Sequence, residues 1–180
     1  WTYTLGYGVA MGTFFVYFSI APRILIGRYG FSPIGFSLLF GTVALVLIAV
    51  ARSSGRLLER YGQPGCLRRG MAIIAVGAAA LAAREMLLDS VLGFMLPAWL
   101  IAVGIAMTVS VSANGALASF SAIAGTSTAL YYALSSFFLV GTGTLAVVLL
   151  PGATAWPLAV YGLLGAALVL TLLSRHPRER

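Results

Sequence analysis

The stretch SVLGFMLPAWLIAVGIAMTVSVSANGAL, residues 90–117, begins the part of the chain that decides the fold. From Ser90 to Ser174 there is no Asp, Glu, Lys, Arg or His. A globular domain needs a polar exterior, so a run of this length cannot fold as a water-soluble domain. Because a helix needs about 20 apolar residues to cross a bilayer, the run has room for three or four membrane spans.

The remainder of the chain has the same character, with 61% hydrophobic residues and a mean hydropathy of +1.02 overall. Prolines, glycines and charges divide it into six predicted spans: 1–21, 32–51, 66–83, 91–112, 125–150 and 156–173. The first span is expected to stop near Pro22, since the residue before a proline is pushed out of the helical region. The fourth is expected to stop near Asn114-Gly115, a turn dipeptide. The sequence therefore predicts an all-α integral membrane protein with a six-helix bundle at 1–174 and a tail at 175–180.

The arginines predict how this bundle is oriented. If the connections after spans two, four and six face one side, that side holds Arg52, Arg56, Arg60, Arg68, Arg69, Arg175, Arg178 and Arg180. The other side holds only Arg23, Arg28 and Arg84. Cytoplasmic loops of membrane proteins are rich in Lys and Arg, so the 52–69 segment and both chain ends are predicted to be cytoplasmic. The net charge of +7 therefore indicates a protein of the lipid bilayer and not a nucleic-acid-binding protein, because the arginines lie at the edges of apolar spans.

Catalytic and metal-binding chemistry has little support in the residues. Cys66 is the only cysteine and lies at the end of a span, while the only histidine, His176, lies in the tail. No acidic residue falls in the interior of a predicted span, so neither a base nor a metal ligand is available there. Glu85 and Asp89 are expected to be solvated charges in a short polar turn. We therefore expect no enzyme, no metal and no cofactor.

The Arg-rich segment contains a spaced motif in addition to its charge. Residues 55–62 read GRLLERYG, in which Gly55, Glu59, Arg60 and Gly62 follow the pattern G-x-L-x-acid-basic-x-G. This resembles the loop motif of the major facilitator superfamily, which recurs between the second and third helices of each half. Glycine permits close approach of helices, and the acid and the arginine could pair across neighbouring helix ends. The copy departs from the family pattern in having Glu59 for the usual Asp and Gln63-Pro64 where basic residues are typical.

Further segments resemble one branch of that superfamily. FFVYFSIAPRILIG (14–27), IGFSLLFGTVALV (34–46), VGIAMTVSVSANGAL (103–117) and ATAWP (153–157) resemble the C-terminal half of bacterial chloramphenicol/florfenicol exporters, and AGTSTAL (124–130) resembles a segment of the wider drug-efflux group. The resemblance implies helices seven to twelve of a twelve-helix drug:proton antiporter of the bacterial inner membrane, working by alternating access. It also implies an N-terminal six-helix half that carries the proton-coupling acid and a functional arginine.

The distribution of polar side chains suggests where a drug would bind. Spans three and six are poor in polar residues and are expected to be lipid-facing supports, whereas hydroxyls and aromatic rings cluster in spans one, four and five. Polar groups facing lipid are costly, so these side chains are expected to turn toward protein or water. The candidate substrate-binding residues for a small, uncharged amphipathic drug are Tyr7, Phe14, Phe18, Ser112, Ser127, Tyr131, Ser135 and Phe138.

Other interpretations stay open from the sequence alone. The same hydroxyls and rings could simply pack the helices together, because small polar residues are common between membrane helices. The chain could belong to an exporter of other amphipathic drugs. It could also be a self-standing six-helix half-transporter or channel, although an opening segment with neither Met nor a charged region favours a position inside a larger protein. An intramembrane enzyme is the weakest alternative.

Overall fold

The computed structural model describes residues 1–87, 89–117 and 124–175, with the backbone alone for Asn114. Within these ranges the chain is helical and contains no strand. Six helices in the described ranges are long and apolar enough to cross a membrane, which indicates a multi-pass membrane protein. The tail was predicted at 175–180, but Arg175 is the last residue of the sixth helix, and residues 176–180, with Arg178 and Arg180, lie outside the described residues.

The helices follow one another with short connections. They are α1 (Thr2–Pro22), continued by a π-helix (Arg23–Arg28), α2 (Pro33–Arg52), α3 (Ser54–Leu87), α4 (Val91–Leu117), α5 (Ala124–Leu149) and α6 (Trp156–Arg175). Ser32 caps α2, since its side chain accepts a hydrogen bond from the backbone N–H of Gly35 at 3.1 Å. The predicted existence and order of the six spans are confirmed.

The predicted end of the first span near Pro22 is wrong. Pro22 lies inside the helix with helical backbone angles, and the chain continues as a π-helix to Arg28. A proline removes one backbone donor, and membrane helices absorb such a loss by local widening. Ile24 and Leu25 on this continuation are fully buried, so their packing stabilises the extra turns.

The predicted end of the fourth span at Asn114-Gly115 is also wrong, because α4 runs on to Leu117. A side-chain carbon on Gly115 would lie 2.7 Å from the ring of Tyr3 on α1. This glycine therefore allows α1 and α4 to approach closely, and it does not start a turn.

The connection between spans two and three is helical where a loop was predicted. Residues 54–61 form a short helix, Gly62 breaks the helical geometry with φ 66° and ψ 172°, and Pro64 lies at the start of the long apolar part of α3. Glycine is favoured at positive φ, and proline is well suited to the first turn of a helix. Gly62 therefore forms a kink between two helical segments.

Glycines set the closest helix contact of the bundle, between α3 and α4. A side-chain carbon on Gly104 would lie 2.6 Å from the carbonyl oxygen of Gly70, and one on Gly77 would lie 3.1 Å from the carbonyl oxygen of Pro97. The α6 helix packs on the other side of α3, where Gly162 faces Ala78. In the described chain α2 and α5 are the least buried helices, so the open faces of the bundle lie on them.

Candidate functional site

A cluster of three tyrosine rings joins α1 to α5, and we call it the tyrosine cluster. The ring centroids of Tyr7 and Tyr131 lie 5.3 Å apart, those of Tyr7 and Tyr132 lie 5.7 Å apart, and those of Tyr131 and Tyr132 lie 5.1 Å apart. Tilted and edge-on arrangements at these distances are favourable for aromatic pairs. Two of the three rings, Tyr7 and Tyr131, were predicted as substrate-binding residues, and the structure brings them together.

Two buried hydroxyl groups lie on one side of α5, one on Tyr131 of the tyrosine cluster and one on Ser135, a turn further along the helix. Tyr131 is 4% exposed and Ser135 is 1% exposed, and neither hydroxyl has a hydrogen-bond partner among the described residues. Tyr132 is 45% exposed, which agrees with the expected rotation of about 100° between neighbouring helical residues. An unpaired buried hydroxyl is costly, so these groups are available for hydrogen bonds to a ligand or a water molecule.

The same side of α5 continues past Ser135. Phe138 packs so closely on α1 that a side-chain carbon on Gly8 would lie 2.9 Å from its ring. One turn further, the Thr142 hydroxyl lies 3.0 Å from the Tyr161 hydroxyl of α6. At the opposite end, the hydroxyl of Ser127 donates to the carbonyl of Ala124 at 3.1 Å. The predicted α5 face thus faces α1 along its middle and α6 near its end.

The remaining candidates lie apart from the tyrosine cluster. Phe14 stacks on Tyr17 with centroids 6.5 Å apart, and Phe18 meets the edge of Phe40 at 5.5 Å while remaining 60% exposed. Ser112 is fully buried and donates to the carbonyl of Thr108 at 2.7 Å. These residues belong to the packing between α1, α2 and α4.

Sequence reasoning did not select Tyr17, although it occupies the centre of this aromatic packing. Its ring stacks against Phe40 of α2 at 5.5 Å and against Phe94 of α4 at 6.1 Å. Its hydroxyl is buried without a partner among the described side chains. The position 17 lies three residues after Phe14 on the same helix, so helical spacing was the signal that could have identified it.

The loop motif forms the outer side of the short helix at 54–61. Gly55, Glu59 and Arg60 are exposed, and no ion pair involves Glu59 within the described ranges. The inner side is held by the Cys66 thiol, whose sulfur lies 3.3 Å from the carbonyl oxygen of Leu57.

Tyr61, next to the kink, is flanked by two arginines. The guanidinium carbons of Arg69 and Arg60 lie 3.7 and 5.3 Å from the centre of its ring. Such cation–π contacts at an exposed site contribute about 0.5–1 kcal/mol each. They hold the basic residues of the segment against the end of the bundle.

The prediction that Glu85 and Asp89 are solvated charges is wrong for Glu85. Both residues join Arg28 and Arg84 in four ion pairs, which we call the ion-pair cluster. The paired atoms are Arg28 Nη1 with Glu85 Oε2 at 3.2 Å, Arg28 Nη2 with Asp89 Oδ2 at 2.8 Å, Arg84 Nη1 with Glu85 Oε1 at 2.5 Å, and Arg84 Nη2 with Asp89 Oδ1 at 2.9 Å. The side chains of Arg84 and Glu85 are 4% and 5% exposed, while that of Asp89 is 53% exposed.

Two further groups extend the ion-pair cluster to other segments. The Tyr29 hydroxyl donates to Asp89 at 2.5 Å and accepts a hydrogen bond from Arg84. The backbone N–H of Ala155 donates to Glu85 Oε1 at 2.7 Å. The cluster therefore joins the end of α1, the end of α3 and the connection between α5 and α6. The connections after α1, α3 and α5 thus lie at the same end of the bundle, as expected when successive spans alternate in direction.

Nothing in this arrangement resembles a metal centre, since no group of three or more His, Cys, Asp or Glu lies together in the part of the chain that the structure describes. The polar groups of the tyrosine cluster are hydroxyls alone. Such a site can offer ring contacts and hydrogen bonds but no charge partner.

Comparisons with known proteins identify two relatives. The chain is 50% identical over 173 residues to a chloramphenicol resistance protein of Pseudomonas aeruginosa, and the alignment covers 96% of this chain and 41% of the relative. It is 38% identical over 85 residues to a chloramphenicol resistance protein of Escherichia coli, covering 47% of this chain and 28% of that relative. No protein-family model and no solved structure matches the chain. The chain is thus similar, over nearly its whole length, to less than half of a chloramphenicol resistance protein.

Proposed function

We propose that the chain is the C-terminal six-helix half of a proton-coupled exporter of chloramphenicol and related phenicol drugs. The observation that carries the proposal is the tyrosine cluster, where ring faces adjoin two buried hydroxyls that lack partners in the described structure. The similarity to proteins named for chloramphenicol resistance supports it independently. The N-terminal half supplies the second bundle, and the drug is exchanged between the two sides of the membrane by alternating access.

The chemistry of the drug class agrees with this site. Phenicols are uncharged molecules with an aromatic ring, hydroxyls and an amide. Tyr7, Tyr131 and Tyr132 supply ring contacts, and the hydroxyls of Tyr131 and Ser135 supply hydrogen bonds. Of the other proposed substrate residues, Ser127 and Phe138 lie on α5, whereas Phe14, Phe18 and Ser112 lie apart from the tyrosine cluster.

Proton coupling is assigned to the N-terminal half. The acid that lies within a helix of this chain at a buried position, Glu85, is engaged by Arg28, Arg84 and the backbone of Ala155. A proton relay needs an acid that can exchange its proton with water or substrate. In the ion-pair cluster, the carboxylate of Glu85 is instead bonded to Arg28, Arg84 and the N–H of Ala155, which favours a structural role.

The loop motif is proposed as a contact that changes during transport. Its short helix exposes Glu59 and Arg60 at the end of the bundle that we assign to the cytoplasm of the bacterial inner membrane. There the two side chains can pair with helix ends of the N-terminal half in one conformation. In the full-length protein, Gly55→Leu and Arg60→Ala should lower export while leaving the amount of protein in the membrane unchanged. Normal drug resistance with both substitutions would reduce the segment to a topology signal.

The experiment that tests the proposal separates export from drug modification. Cells that express the full-length protein containing this chain are loaded with labelled chloramphenicol, and both the amount and the chemical integrity of the drug are measured over time. We expect low accumulation of chemically intact drug, and a rise in accumulation when the proton gradient is collapsed. Chemically altered drug in the medium would instead indicate an enzyme. Unchanged accumulation relative to empty cells would refute phenicol export.

A further inference from the structure

A crevice separates α5 from α6 in the half of the bundle away from the tyrosine cluster. Its volume is about 430 Å³, within the usual range for small-molecule sites. Val9 of α1 closes its floor, and exposed leucines form its rim. Its lining includes Val9, Phe138, Thr142, Ala146, Tyr161 and Leu164.

The crevice adjoins the proposed substrate face. Phe138 belongs to the same side of α5 as Tyr131 and Ser135, and its ring lies against Gly8, next to Tyr7 in the chain. Its walls carry no charged side chain, and its only polar side chains are those of Thr142 and Tyr161. A charged ligand would therefore have no partner there, while an uncharged ring-bearing ligand would meet Phe138 and the leucines.

The two hydroxyls fix which hydrogen-bonding groups a ligand needs. Thr142 Oγ1 donates to the carbonyl oxygen of Phe138 at 2.6 Å, so its only proton is engaged. The Tyr161 hydroxyl lies 3.0 Å from Thr142 Oγ1 and must therefore be the donor in that pair. The proton of Tyr161 is then also engaged, and its oxygen retains the capacity to accept. The crevice thus offers a hydrogen-bond acceptor and no side-chain donor.

The position of the Tyr161 oxygen limits the direction from which a ligand can reach it. On one side it lies against Gly12 of α1, where a side-chain carbon would overlap it. On the other side, Tyr161 lines the crevice together with Thr142, whose hydroxyl lies 3.0 Å from the Tyr161 oxygen. A lipid acyl chain would fill the apolar walls but carries no donor for this oxygen, and a lipid headgroup would meet no cation.

We propose that the crevice between α5 and α6 binds an uncharged aromatic drug that carries a hydroxyl or amide donor, with Tyr161 as the acceptor that recognises it. This rests on the proposed function and adds a second drug site to it, entered from the side of the bundle between the two helices. Phe138 separates this site from the tyrosine cluster.

The first test removes the acceptor without changing the shape of the crevice. In the purified full-length protein, Tyr161→Phe keeps the ring and leaves Thr142 bonded to Phe138, so the fold should be retained. Equilibrium binding of labelled chloramphenicol should weaken roughly two- to tenfold, the range for one lost hydrogen bond. The matched control is Tyr3→Phe, because the ring of Tyr3 lies against Gly115 and Tyr3 does not line the crevice. The effect of Tyr161→Phe should vanish for an analogue whose hydroxyl and amide donors are methylated.

The second test fills the crevice. Ala146→Phe places a ring in it, whereas Ala167→Phe places the same ring on an exposed position of α6 outside it. A fall in the number of drug molecules bound per protein with Ala146→Phe alone supports the proposal, since the tyrosine cluster still binds. In a contrary outcome, wild-type protein binds and exports the drug while Tyr161→Phe and Ala146→Phe bind it equally well. In that case the crevice is occupied by lipid or by the N-terminal half, and this inference fails while the proposed function stands. If wild-type protein neither binds nor exports the drug, the proposed function itself fails.

Discussion

The ion-pair cluster allows a quantitative prediction, because its two acids have similar partners but very different exposure. Glu85→Gln keeps the size of the side chain and an oxygen that can accept from the N–H of Ala155, but it removes the negative charge between Arg28 and Arg84. Breaking a buried ion pair by removing one partner costs about 3–5 kcal/mol. Since Arg84 retains Asp89 at 2.9 Å, we expect the lower end, a loss of about 3 kcal/mol in the free energy of unfolding.

The matched control is Asp89→Asn. The Asp89 side chain is 53% exposed, so solvent screens its ion pairs and we expect a loss of at most about 1 kcal/mol. The measurement is equilibrium unfolding of the purified full-length protein in mixed micelles with increasing sodium dodecyl sulfate, followed by circular dichroism. Equal losses for the two variants, or a loss below about 1 kcal/mol for Glu85→Gln, would refute the conclusion that burial makes Glu85 the centre of the cluster.

Three further predictions concern orientation, packing and binding. A cysteine placed in the 52–69 segment should be unreactive toward a membrane-impermeant thiol reagent in intact cells, whereas one beside the ion-pair cluster should react; the reverse pattern would overturn the orientation. Gly104→Leu should lower the free energy of unfolding by about 1–3 kcal/mol through overpacking against α3, whereas Gly141→Leu, with no neighbouring atom within 4 Å, should change it little. Tyr131→Ala should weaken phenicol binding by roughly 1 kcal/mol or more and Tyr132→Ala by less; equal affinities in an equilibrium binding assay would move the drug site off α5.

The sequence predicted the spans well because a single physical quantity, the absence of charge over long apolar runs, determines them. It also predicted which side chains share the α5 face, since the rotation per residue of a helix is fixed. Tyr131 and Ser135 are both buried while Tyr132 is exposed, as the helical period requires. That this face turns toward α1, with Tyr7 as its nearest ring, depends on helix packing and could not be read from the period.

The errors have a common cause, which is that local signals were overridden by contacts distant in sequence. Pro22 and Gly115 are helix breakers in isolation, but the packing of Ile24 and the ring of Tyr3 hold those segments in helices. Glu85 follows directly after Arg84 and looks like one of several charges at a membrane surface. Arg28, Arg84 and the backbone of Ala155 engage it, and no local pattern at residue 85 indicates that Arg28 and Ala155 lie there.

The ion-pair cluster also has a consequence for the order of events during synthesis. Arg28 is made 57 residues before Glu85 and 61 before Asp89, and the N–H of Ala155 follows Glu85 by 70 residues. At typical rates of about 5–20 residues per second, roughly 4–14 seconds separate the emergence of Glu85 from that of its last donor. During this interval the end of α3 holds an incompletely bonded carboxylate. The hydrogen bonds of the ion-pair cluster can therefore be complete only after the connection between α5 and α6 has been made.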